Sequence, residues 1–597
     1  MCGIIGVVGR SGNAAPEVYA GLERLEYRGY DSAGLSVLDR GKISTVKRGG
    51  RVANLMSEAV ALRGNIAIGH TRWATHGEPS DKNAHPHCAG AFSVVHNGII
   101  ENFRELKEEL ISSGEKFVSD TDSEVIVRLI NAFYTGARGR CAGDALRSVA
   151  EGVKLLKGSY ALGVLCAGFE GIIAVKFKSP AVVGFGRDCT VLCSDIPALP
   201  PAVTSVCVPE EGDIAVIKAD YAEFYDGELR PVNRSRRPVF AEQLGGGTGK
   251  FPHYMIKEIY ETERTVRDTC ESFFRHVDIK RLTEYVRGAD RIIITGCGTA
   301  YNAGLAARRF FDGKCSPFCQ VEIASELRYS LPAVTPATLV IAVSQSGETA
   351  DTVEAVTALK AAGARVVAVT NCGYSAITRV AHLVVPVCAG AEVCVAATKS
   401  YSGQLAALYL TARLTGDIFT AREELSAACD SVGELLKDTA RADQIAEICA
   451  RSSAVFFLGR GADYAVAVEA SLKLKEVSYI FSDGYPAGEL KHGTLALVDE
   501  NTLSVLIICD GGLADKSENA ASQVSSRKGK VAVVTCLEEV AERLKGDCEV
   551  WLIPHSPAHI PPFVSAVAMQ LIAYKTAVIL GRDPDKPRNL AKSVTVE

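Results

Sequence analysis

The stretch Arg291-Ile-Ile-Ile-Thr-Gly-Cys-Gly298 places a short apolar run directly before a Gly-x-Gly turn, a pattern typical of a buried strand that leads into a helix. The stretch Ala454-Val-Phe-Phe-Leu-Gly-Arg-Gly461 repeats this pattern 163 residues later. The next apolar runs, residues 339–343 and 503–508, also match, at an offset of 164. Because apolar runs alternate with helix-length segments, the sequence predicts two copies of one doubly wound α/β domain with a parallel sheet.

Neither Gly-x-Gly turn completes a dinucleotide-binding fingerprint. Gly298 is followed by Thr-Ala-Tyr and Gly461 by Ala-Asp-Tyr, so the third glycine is missing. The first copy instead carries Ser344-Gln-Ser-Gly-Glu-Thr349 between an apolar run and a helix-like segment. Hydroxyl and backbone N–H groups at a helix N-terminus bind phosphate, although a single serine there would only indicate a helix cap. Since no Gly-Lys-Ser/Thr follows, the motif predicts a sugar-phosphate site rather than a nucleotide site.

Composition restricts the class of protein. The chain has 597 residues, of which 47% are hydrophobic and 23% charged, with a net charge of −5. This balance is typical of a globular protein and excludes a disordered or coiled-coil chain. No long run of Lys or Arg occurs, so we expect no nucleic-acid partner. The most apolar segment, residues 563–581, contains Gln570 and Lys575 and follows two prolines, which predicts a buried helix and no membrane association.

The cysteines and the N-terminus favour a cytoplasmic protein without a metal. Nineteen cysteines are scattered along the chain, and only Cys315 and Cys319 lie at a pair-like spacing. No second pair follows them, so we expect buried thiols in a reducing cytosol and no metal site. Met1-Cys2-Gly3 leads into a short apolar stretch with no basic segment before it, so we expect no signal peptide.

Removal of Met1 would give Cys2 both a thiol and a free α-amine. An α-amine has a pKa of about 7.7–8.0, so it can act as a general base near neutral pH for the nucleophile that bears it. A cysteine at position 2 would by itself indicate nothing, but four polar clusters follow apolar runs downstream. They are Leu25-Glu-Tyr-Arg-Gly-Tyr-Asp-Ser-Ala-Gly34, Gly69-His-Thr-Arg-Trp-Ala-Thr-His-Gly77, Val95-His-Asn-Gly98 and Ser119-Asp-Thr-Asp-Ser-Glu124.

Together these clusters resemble the glutaminase domain of the N-terminal-nucleophile amidotransferases, an α/β/β/α sandwich, from Cys2 to about residue 220. The resemblance implies that Cys2 attacks the side-chain amide of glutamine. It also implies roles for the clustered residues: Arg72 binds the substrate α-carboxylate, Asp122 binds its α-ammonium, Thr75 and His76 belong to the same binding loop, Asn97 and Gly98 form the oxyanion hole, Arg28 orders the Cys2 end, and Trp73 gates an ammonia channel.

Further polar residues stand out in the C-terminal half. Lys473 and Glu476 lie three residues apart, on one face of a predicted helix, although such a pair on a surface would be unremarkable. The motifs of this half are Cys297-Gly-Thr299, the Ser344 motif, Lys473-Leu-Lys-Glu476, Gly488-Glu-Leu-Lys-His-Gly493 and the terminal Asn589-Leu-Ala-Lys-Ser-Val-Thr-Val-Glu597. They resemble the paired sugar isomerase (SIS) domains of the glutamine–fructose-6-phosphate aminotransferases (isomerising), also called glucosamine-6-phosphate synthases. The similarity covers essentially the whole chain in the same domain order.

This resemblance implies transfer of the glutamine amide nitrogen to fructose 6-phosphate, which gives glucosamine 6-phosphate and glutamate. His492, contributed by the neighbouring subunit of a homodimer, would open the sugar ring, and Lys592 would form a Schiff base at C2. Glu476 would move a proton from C1 to C2 with support from Lys473. No metal or organic cofactor would be required. The sugar phosphate would bind Thr299, Ser344, Gln345, Ser346 and Thr349.

The resemblance also implies domain boundaries and two departures from the family pattern. The expected parts are an amidotransferase domain at 2–226, a linker and helical connection at 227–279, SIS domains at 280–428 and 440–587, and a catalytic tail at 588–597. Ala300 and Ala397 stand where the family often has serine. Each change removes a hydroxyl near the sugar phosphate, and one lost neutral hydrogen bond costs about 0.5–1.5 kcal/mol. We therefore expect a Michaelis constant raised several-fold, with activity retained.

Three alternatives remain at the level of sequence. An amidophosphoribosyltransferase shares the N-terminal domain but needs a phosphoribosyl site and a single synthase domain, whereas this chain has a duplicated unit. A non-catalytic sugar-phosphate sensor would lack Glu476, His492 or Lys592, and all three are present. A glutamine-independent deaminase-isomerase would lack the Cys2 domain.

Overall fold

A computed structural model describes the fold over residues 2–10, 12–74, 76–135, 144–239, 247–311, 318–557 and 559–594. The chain divides into two compact units. The N-terminal unit comprises residues 1–246 together with 591–597, and the C-terminal unit comprises residues 247–590. Thr75 and Cys315 lie outside the described residues, as do the last three residues of the tail.

Two antiparallel sheets form the centre of the N-terminal unit. Their strands are β1 (Gly3–Gly9), β2 (Ser32–Asp39), β3 (Lys42–Gly49), β4 (Ile66–Arg72), β5 (His87–Ala89), β6 (Phe92–Ile100), β7 (Gly158–Cys166), β8 (Phe169–Phe177), β9 (Val182–Gly186), β10 (Cys189–Cys193), β11 (Val203–Cys207), β12 (Ile214–Ile217), β13 (Ala222–Tyr225), β14 (Pro231–Val232) and β15 (Arg236–Pro238). One sheet has the order β15-β11-β9-β10-β1-β4-β2-β3 and the other β14-β13-β12-β8-β7-β6-β5.

The two sheets pack face to face, and helices cover their outer faces. The helices are α1 (Ala15–Leu25), α2 (Met56–Ala59), α3 (Phe103–Ser112), α4 (Glu124–Tyr134) and α5 (Ala145–Val153). Ile68 of β4 and Val95 of β6 belong to one buried cluster between the sheets. A second cluster joins β6 and β7 to α3, α4 and α5, and α1 packs on β1 and β4. This layering confirms the predicted α/β/β/α sandwich.

The C-terminal unit contains two five-stranded parallel sheets. Their strands are β16 (Arg291–Gly296), β17 (Phe318–Ile323), β18 (Thr338–Ser344), β19 (Arg365–Thr370), β20 (Leu383–Pro386), β21 (Ala454–Gly459), β22 (Phe481–Pro486), β23 (Thr502–Ile508), β24 (Lys530–Thr535) and β25 (Glu549–Leu552). The orders are β17-β16-β18-β19-β20 and β22-β21-β23-β24-β25, so the second sheet repeats the first. In sheets of this order, ligands bind at the carboxyl ends of the first and third strands in the chain, where the strand order reverses.

Helices surround both parallel sheets. They are α6 (Tyr254–Tyr260), α7 (Thr262–His276), α8 (Ile279–Arg287), α9 (Thr299–Phe311), α10 (Ala324–Leu327), α11 (Ala350–Ala361), α12 (Ala376–Val380), α13 (Lys399–Arg413), α14 (Ile418–Leu435), α15 (Ala440–Ala450), α16 (Ala462–Ser478), α17 (Ala514–Ser525), α18 (Glu538–Leu544) and α19 (Phe563–Ile579). The first copy contacts the second through α9 and α16. Helix α19 is buried along most of its length and has Pro562 at its N-cap, as the sequence predicts. Among the described helices, none is long and apolar enough to cross a membrane.

Candidate functional site

Cys2 immediately precedes β1, beside the ends of β4 and β6. The Trp73 backbone N–H donates a hydrogen bond to Cys2 Sγ at 3.3 Å, and Asn97 Nδ2 donates one to the Cys2 carbonyl oxygen at 3.0 Å. Burial raises the pKa of the Cys2 thiol, although the nearby chain terminus and Arg72 act in the opposite direction. A thiol with a raised pKa stays protonated at neutral pH, so nucleophilic attack by Cys2 requires a neighbouring base.

Gly98 has a backbone conformation that a side chain would not tolerate. Its φ is +136°, and a Cβ atom built on it would lie 1.9 Å from the carbonyl oxygen of Ser159 on β7. Glycine is therefore required at position 98, where β6 passes next to Cys2. The side-chain amide of Asn97 bonds the backbone of Cys2, so this part of β6 lies beside the predicted nucleophile, and the oxyanion-hole role of Asn97 and Gly98 stays a prediction.

Arg72 and Asp122 are both buried within the N-terminal unit. The Arg72 guanidinium donates hydrogen bonds to the carbonyl oxygens of His76 and of Gly77, the latter at 2.9 Å. Asp122 Oδ2 accepts a hydrogen bond from the backbone N–H of Ile100 at 2.9 Å. The cation thus fixes the loop that follows Trp73, and the carboxylate fixes the end of β6.

The remaining predicted residues of this unit have well-defined neighbours. The His76 ring contacts the edge of Phe103, with 5.3 Å between ring centroids, and the half-buried Trp73 contacts Tyr30 in the same way at 5.5 Å. Arg28 forms a buried ion pair with Asp195 at 2.6 Å. The residue before Asp195, Ser194, exchanges hydrogen bonds with Ile4 of β1. Arg28 is therefore in a position to order β1, the strand that directly follows Cys2.

The Ser344 motif forms the turn between β18 and α11. The N–H of Gly347 donates to Ser344 Oγ at 3.0 Å, and the N–H of Glu348 donates to Ser346 Oγ at 3.2 Å. Thr349 is the N-cap residue of α11, with its hydroxyl 3.3 Å from that of Ser344. Hydroxyls and amides thus converge at a helix N-terminus on the reversal point of the sheet, a favourable place for a phosphate group.

Lys473 is the centre of a buried charged cluster between the two copies. Its Nζ lies 2.6 Å from Glu476 Oε2 and 3.5 Å from Glu469 Oε1, all on α16. It also donates a hydrogen bond to Thr299 Oγ1 at 2.9 Å, across to α9 of the first copy. Burial alone would lower the pKa of Lys473, but the two carboxylates outweigh burial and raise it. The ammonium group therefore stays charged and holds Glu476 beside Thr299.

Glu469 is a member of this cluster that the sequence analysis missed. Asn302 Nδ2 donates to Glu469 Oε2 at 2.8 Å, and Thr299 Oγ1 donates to Glu469 Oε1 at 3.1 Å. Burial raises the pKa of this carboxyl, while Lys473 opposes the shift. A signal was present in the sequence, because residues 469, 473 and 476 share one helix face. The contact with Asn302 had none, because it joins positions 167 residues apart.

His492 and Lys592 lie on other elements of the chain. His492 is exposed at the end of a short 3₁₀ helix, Glu489–His492. Lys592 is half-buried and belongs to the N-terminal unit, which includes residues 591–597. Within the described residues, no group of three or more His, Cys, Asp and Glu side chains could hold a metal ion.

Comparisons with known proteins match both halves of the chain. A SIS domain profile matches residues 285–414 and 448–580, and a glutamine amidotransferase domain profile matches residues 48–144. Glutamine–fructose-6-phosphate aminotransferases (isomerizing) from Caldanaerobacter subterraneus and Aquifex aeolicus are each 41% identical, and each alignment covers 100% of both chains. The solved C-terminal domain of such an enzyme from Francisella tularensis is 35% identical, with a TM-score of 0.54, over 57% of this chain and 100% of that one.

The chain belongs to the glutamine–fructose-6-phosphate aminotransferase (isomerizing) family. The family assignment excludes an amidophosphoribosyltransferase, in line with the two SIS profile matches. Against the family pattern, Ala300 is buried in the first turn of α9, next to Thr299. The missing hydroxyl would therefore lie one residue from the Lys473 cluster, and its effect on sugar affinity stays a prediction.

Proposed function

We propose that this chain transfers the amide nitrogen of L-glutamine to D-fructose 6-phosphate and isomerises the product, which yields D-glucosamine 6-phosphate and L-glutamate. The observation that carries this proposal is the full-length similarity at 41% identity to enzymes named for this reaction. The two candidate sites supply complementary chemistry. One presents a cysteine nucleophile near an arginine and an aspartate, and the other combines a hydroxyl-rich turn with a lysine–glutamate ion pair.

In the glutaminase reaction, the Cys2 thiol attacks the side-chain carbonyl carbon of glutamine. The α-amine that Met1 removal exposes takes the thiol proton, because it is the base attached to the nucleophile. Asn97 Nδ2 and the Gly98 N–H stabilise the negative oxygen of the tetrahedral intermediate. Ammonia leaves, and water then releases glutamate from the thioester. Four residues bind the α-carboxylate and α-ammonium groups of the substrate: Arg72, Thr75, His76 and Asp122.

In the synthase reaction, the turn between β18 and α11 binds the phosphate group through Ser344, Gln345, Ser346 and Thr349, with Thr299 beside it. His492 opens the sugar ring, and Lys592 forms a Schiff base with the C2 carbonyl. Ammonia then displaces the Lys592 amine from C2. Glu476 moves a proton from C1 to C2 and converts the ketose into an aldose. The ion pair with Lys473 supports this role, because it fixes the carboxylate between the two copies.

The proposal also covers the assembly of the protein, its location in the cell and its domain boundaries. We propose a cytoplasmic homodimer, in which the exposed His492 serves the site of the neighbouring subunit, and an ammonia channel gated by Trp73. The proposed parts of the chain are the amidotransferase domain at 2–226, the linker and helical connection at 227–279, the two SIS domains at 280–428 and 440–587, and the catalytic tail at 588–597. The assignment requires no cofactor.

Isotope transfer tests the proposed reaction. The purified chain is incubated with fructose 6-phosphate and glutamine labelled with ¹⁵N in the side-chain amide, and the products are identified by mass. We expect ¹⁵N-labelled glucosamine 6-phosphate from the wild type and none from Cys2→Ala. The matched control Cys88→Ala, at an exposed cysteine, should behave as the wild type. Absence of labelled amino sugar from the processed wild type would contradict the function.

Borohydride trapping tests the role of Lys592. Reduction in the presence of fructose 6-phosphate should attach the sugar to Lys592, because borohydride reduces a Schiff base to a stable amine. Deletion of residues 591–597 should stop amino-sugar formation without unfolding the chain. The control Lys586→Arg, nearby in the sequence, should leave the label in place. A label on a different lysine would show that the assigned amine is wrong.

A further inference from the structure

Two cysteines of the second copy lie side by side at the carboxyl ends of neighbouring strands. Cys509 directly follows β23 and Cys536 directly follows β24, and the strand ends Ile508 and Thr535 are partners in the parallel register. The Sγ atom of Cys536 lies 3.7 Å from the carbonyl oxygen of Cys509. Neighbouring strands are about 4.8 Å apart, and a disulfide spans Cα distances of about 4.4–6.8 Å. The backbone therefore already has a spacing that a disulfide accepts.

The environment shifts the pKa values of the two thiols in opposite directions. A hydrogen bond from the Cys509 thiol lowers the pKa of Cys536, and the same contact, with burial, raises the pKa of Cys509. Cys536 is buried, and Cys509 is partly exposed as a residue. A thiolate beside a protonated thiol is the arrangement in which one cysteine reacts first and the other resolves the product.

The pair occupies the place in the second copy that the proposed phosphate turn occupies in the first. At the equivalent strand ends the first copy has Gln345 and Asn371, and the Asn371 N–H donates to the Gln345 carbonyl at 3.2 Å. In the second copy, the N–H groups of Cys509 and Asp510 donate to Asp463 Oδ2 at 2.9 and 3.3 Å. Asp463 lies in the first turn of α16.

This connection links the thiols to the charged cluster on α16. The same helix carries Lys473 and Glu476 three turns further along. A covalent bond between Cys509 and Cys536 would draw the loop after β23 toward β24. It would thereby strain the two hydrogen bonds that anchor the start of α16. Since a displacement of about 1 Å at a catalytic group can cost about a hundredfold in rate, a small shift of this helix suffices to slow the proton transfer.

We propose that Cys509 and Cys536 form a reversible redox site, whose oxidation by hydrogen peroxide slows the synthase reaction through α16. The Cys536 thiolate attacks one peroxide oxygen, the O–O bond breaks, and hydroxide leaves and takes up a proton as water. The Cys509 sulfur then attacks the sulfur of the Cys536 sulfenic acid, and its proton leaves with the hydroxyl as a second water. Two thiols lose two electrons, and one peroxide becomes two waters. A dithiol reductant reverses the change.

Peptide mapping tests the bond itself and does not depend on the proposed function. The full chain is treated with hydrogen peroxide, blocked with an alkylating agent and digested with trypsin without reduction. Cleavage separates the cysteines into peptides 492–516 and 531–543, each with a single cysteine. We expect these two peptides joined with loss of two hydrogens, and separated after reduction. Recovery of both as alkylated thiols, while other cysteines oxidise, would overturn the proposal.

Turnover tests the coupling to α16, which rests on the proposed function. The Cys2→Ala background removes the glutaminase nucleophile as a target of peroxide, and isomerisation of fructose 6-phosphate is the readout. We expect peroxide to slow isomerisation at least fivefold, with recovery after reduction. Cys536→Ser should lose this sensitivity at unchanged basal rate, and the control Cys548→Ser, at a half-buried thiol outside the pair, should keep it. A mapped disulfide without a change in isomerisation would overturn the coupling, and no isomerisation in untreated enzyme would instead contradict the proposed function.

Discussion

Gly98 shows how a single residue determines the backbone geometry of the proposed glutaminase site. Its φ of +136° and the 1.9 Å approach of a built Cβ to the Ser159 oxygen mean that Gly98→Ala must displace the β6 backbone. This shift would move the proposed oxyanion donors away from Cys2. Removal of one such donor typically costs a factor of about 10²–10³ in kcat, so we expect a loss of glutamate release in that range.

The matched control for this prediction is Gly114→Ala. Gly114 also has a positive φ, +98°, but no heavy atom lies within 4 Å of its built Cβ. The control therefore carries the backbone strain without the clash and should keep its glutaminase rate within about threefold, since nothing near the site must shift. Fructose 6-phosphate isomerisation should be unchanged in both variants. Equal loss of glutamate release in the two variants would show that positive φ, not the oxyanion geometry, sets the effect.

At the same scale, local spacing made Cys2, the Ser344 motif and the Lys473–Glu476 pair predictable. Each lies in a short segment whose residue types already suggest chemistry. Glu469 was missed, because its importance depends on contacts with Asn302 and Thr299 across the duplicated unit. Burial and distant partners, rather than neighbours in sequence, give such a residue its role.

At the scale of elements, α16 contains a buried lysine between two carboxylates. Lys473→Met would leave Glu469 and Glu476 near each other without their shared cation. Breaking a buried pair by removing one partner costs about 3–5 kcal/mol, so we expect that loss in the free energy of unfolding. Urea titration followed by the fluorescence of Trp551, in the same unit, measures it. Lys475→Met, at an exposed position of the same helix, should change stability by less than about 0.5 kcal/mol, and an equal loss there would contradict the argument.

The strands around Cys2 also contain a stack of buried histidines. Its members are His70 on β4, His85, His87 on β5 and His96 on β6, with His70 and His85 stacked at 4.1 Å between ring centroids. Burial lowers the pKa of all four, that of His70 to about 3. Unfolded histidine has a pKa of about 6.5, so below this pH the unfolded state binds protons that the folded state excludes.

The N-terminal unit should therefore lose stability on acidification. The contribution of the neutral histidines to the free energy of unfolding is fully present above pH 6.5. It falls as the pH drops toward the pKa values of the folded state. For His70, whose folded pKa is about 3, the cost is about 1.4 kcal/mol at one pH unit below 6.5, and the other three histidines act in the same direction. Thermal unfolding of Trp551→Phe, in which only Trp73 reports, measures this. A midpoint that does not fall between pH 7.5 and 5.5 would refute the argument.

At the scale of the whole molecule, the duplication was predictable from sequence because strand runs and turns recur at a nearly constant offset. The structure confirms the repeated strand order, in which β18 and β23 hold equivalent positions in the two sheets. The grouping of residues 591–597 with the N-terminal unit was not predictable. A tail without a hydrophobic period carries no local signal of the unit against which it packs.

The duplication finally raises the question of how many phosphate sites one chain contains, and we expect one. Asp463 stands where the first copy has Ala300, and its carboxylate accepts the N–H groups of Cys509 and Asp510. Burial raises the pKa of Asp463 to about 7, which shows that this place disfavours negative charge. A phosphate dianion would therefore be disfavoured there as well. The second turn also lacks hydroxyls, since Asp510 replaces Ser346.

Calorimetric titration with a non-reacting fructose 6-phosphate analogue should give one binding site per chain. This site should be lost in Ser344→Ala/Ser346→Ala. It should be kept in the control Ser525→Ala/Ser526→Ala, at exposed positions of the second copy. Two phosphates bound per chain would instead mean that both copies retained the ancestral site.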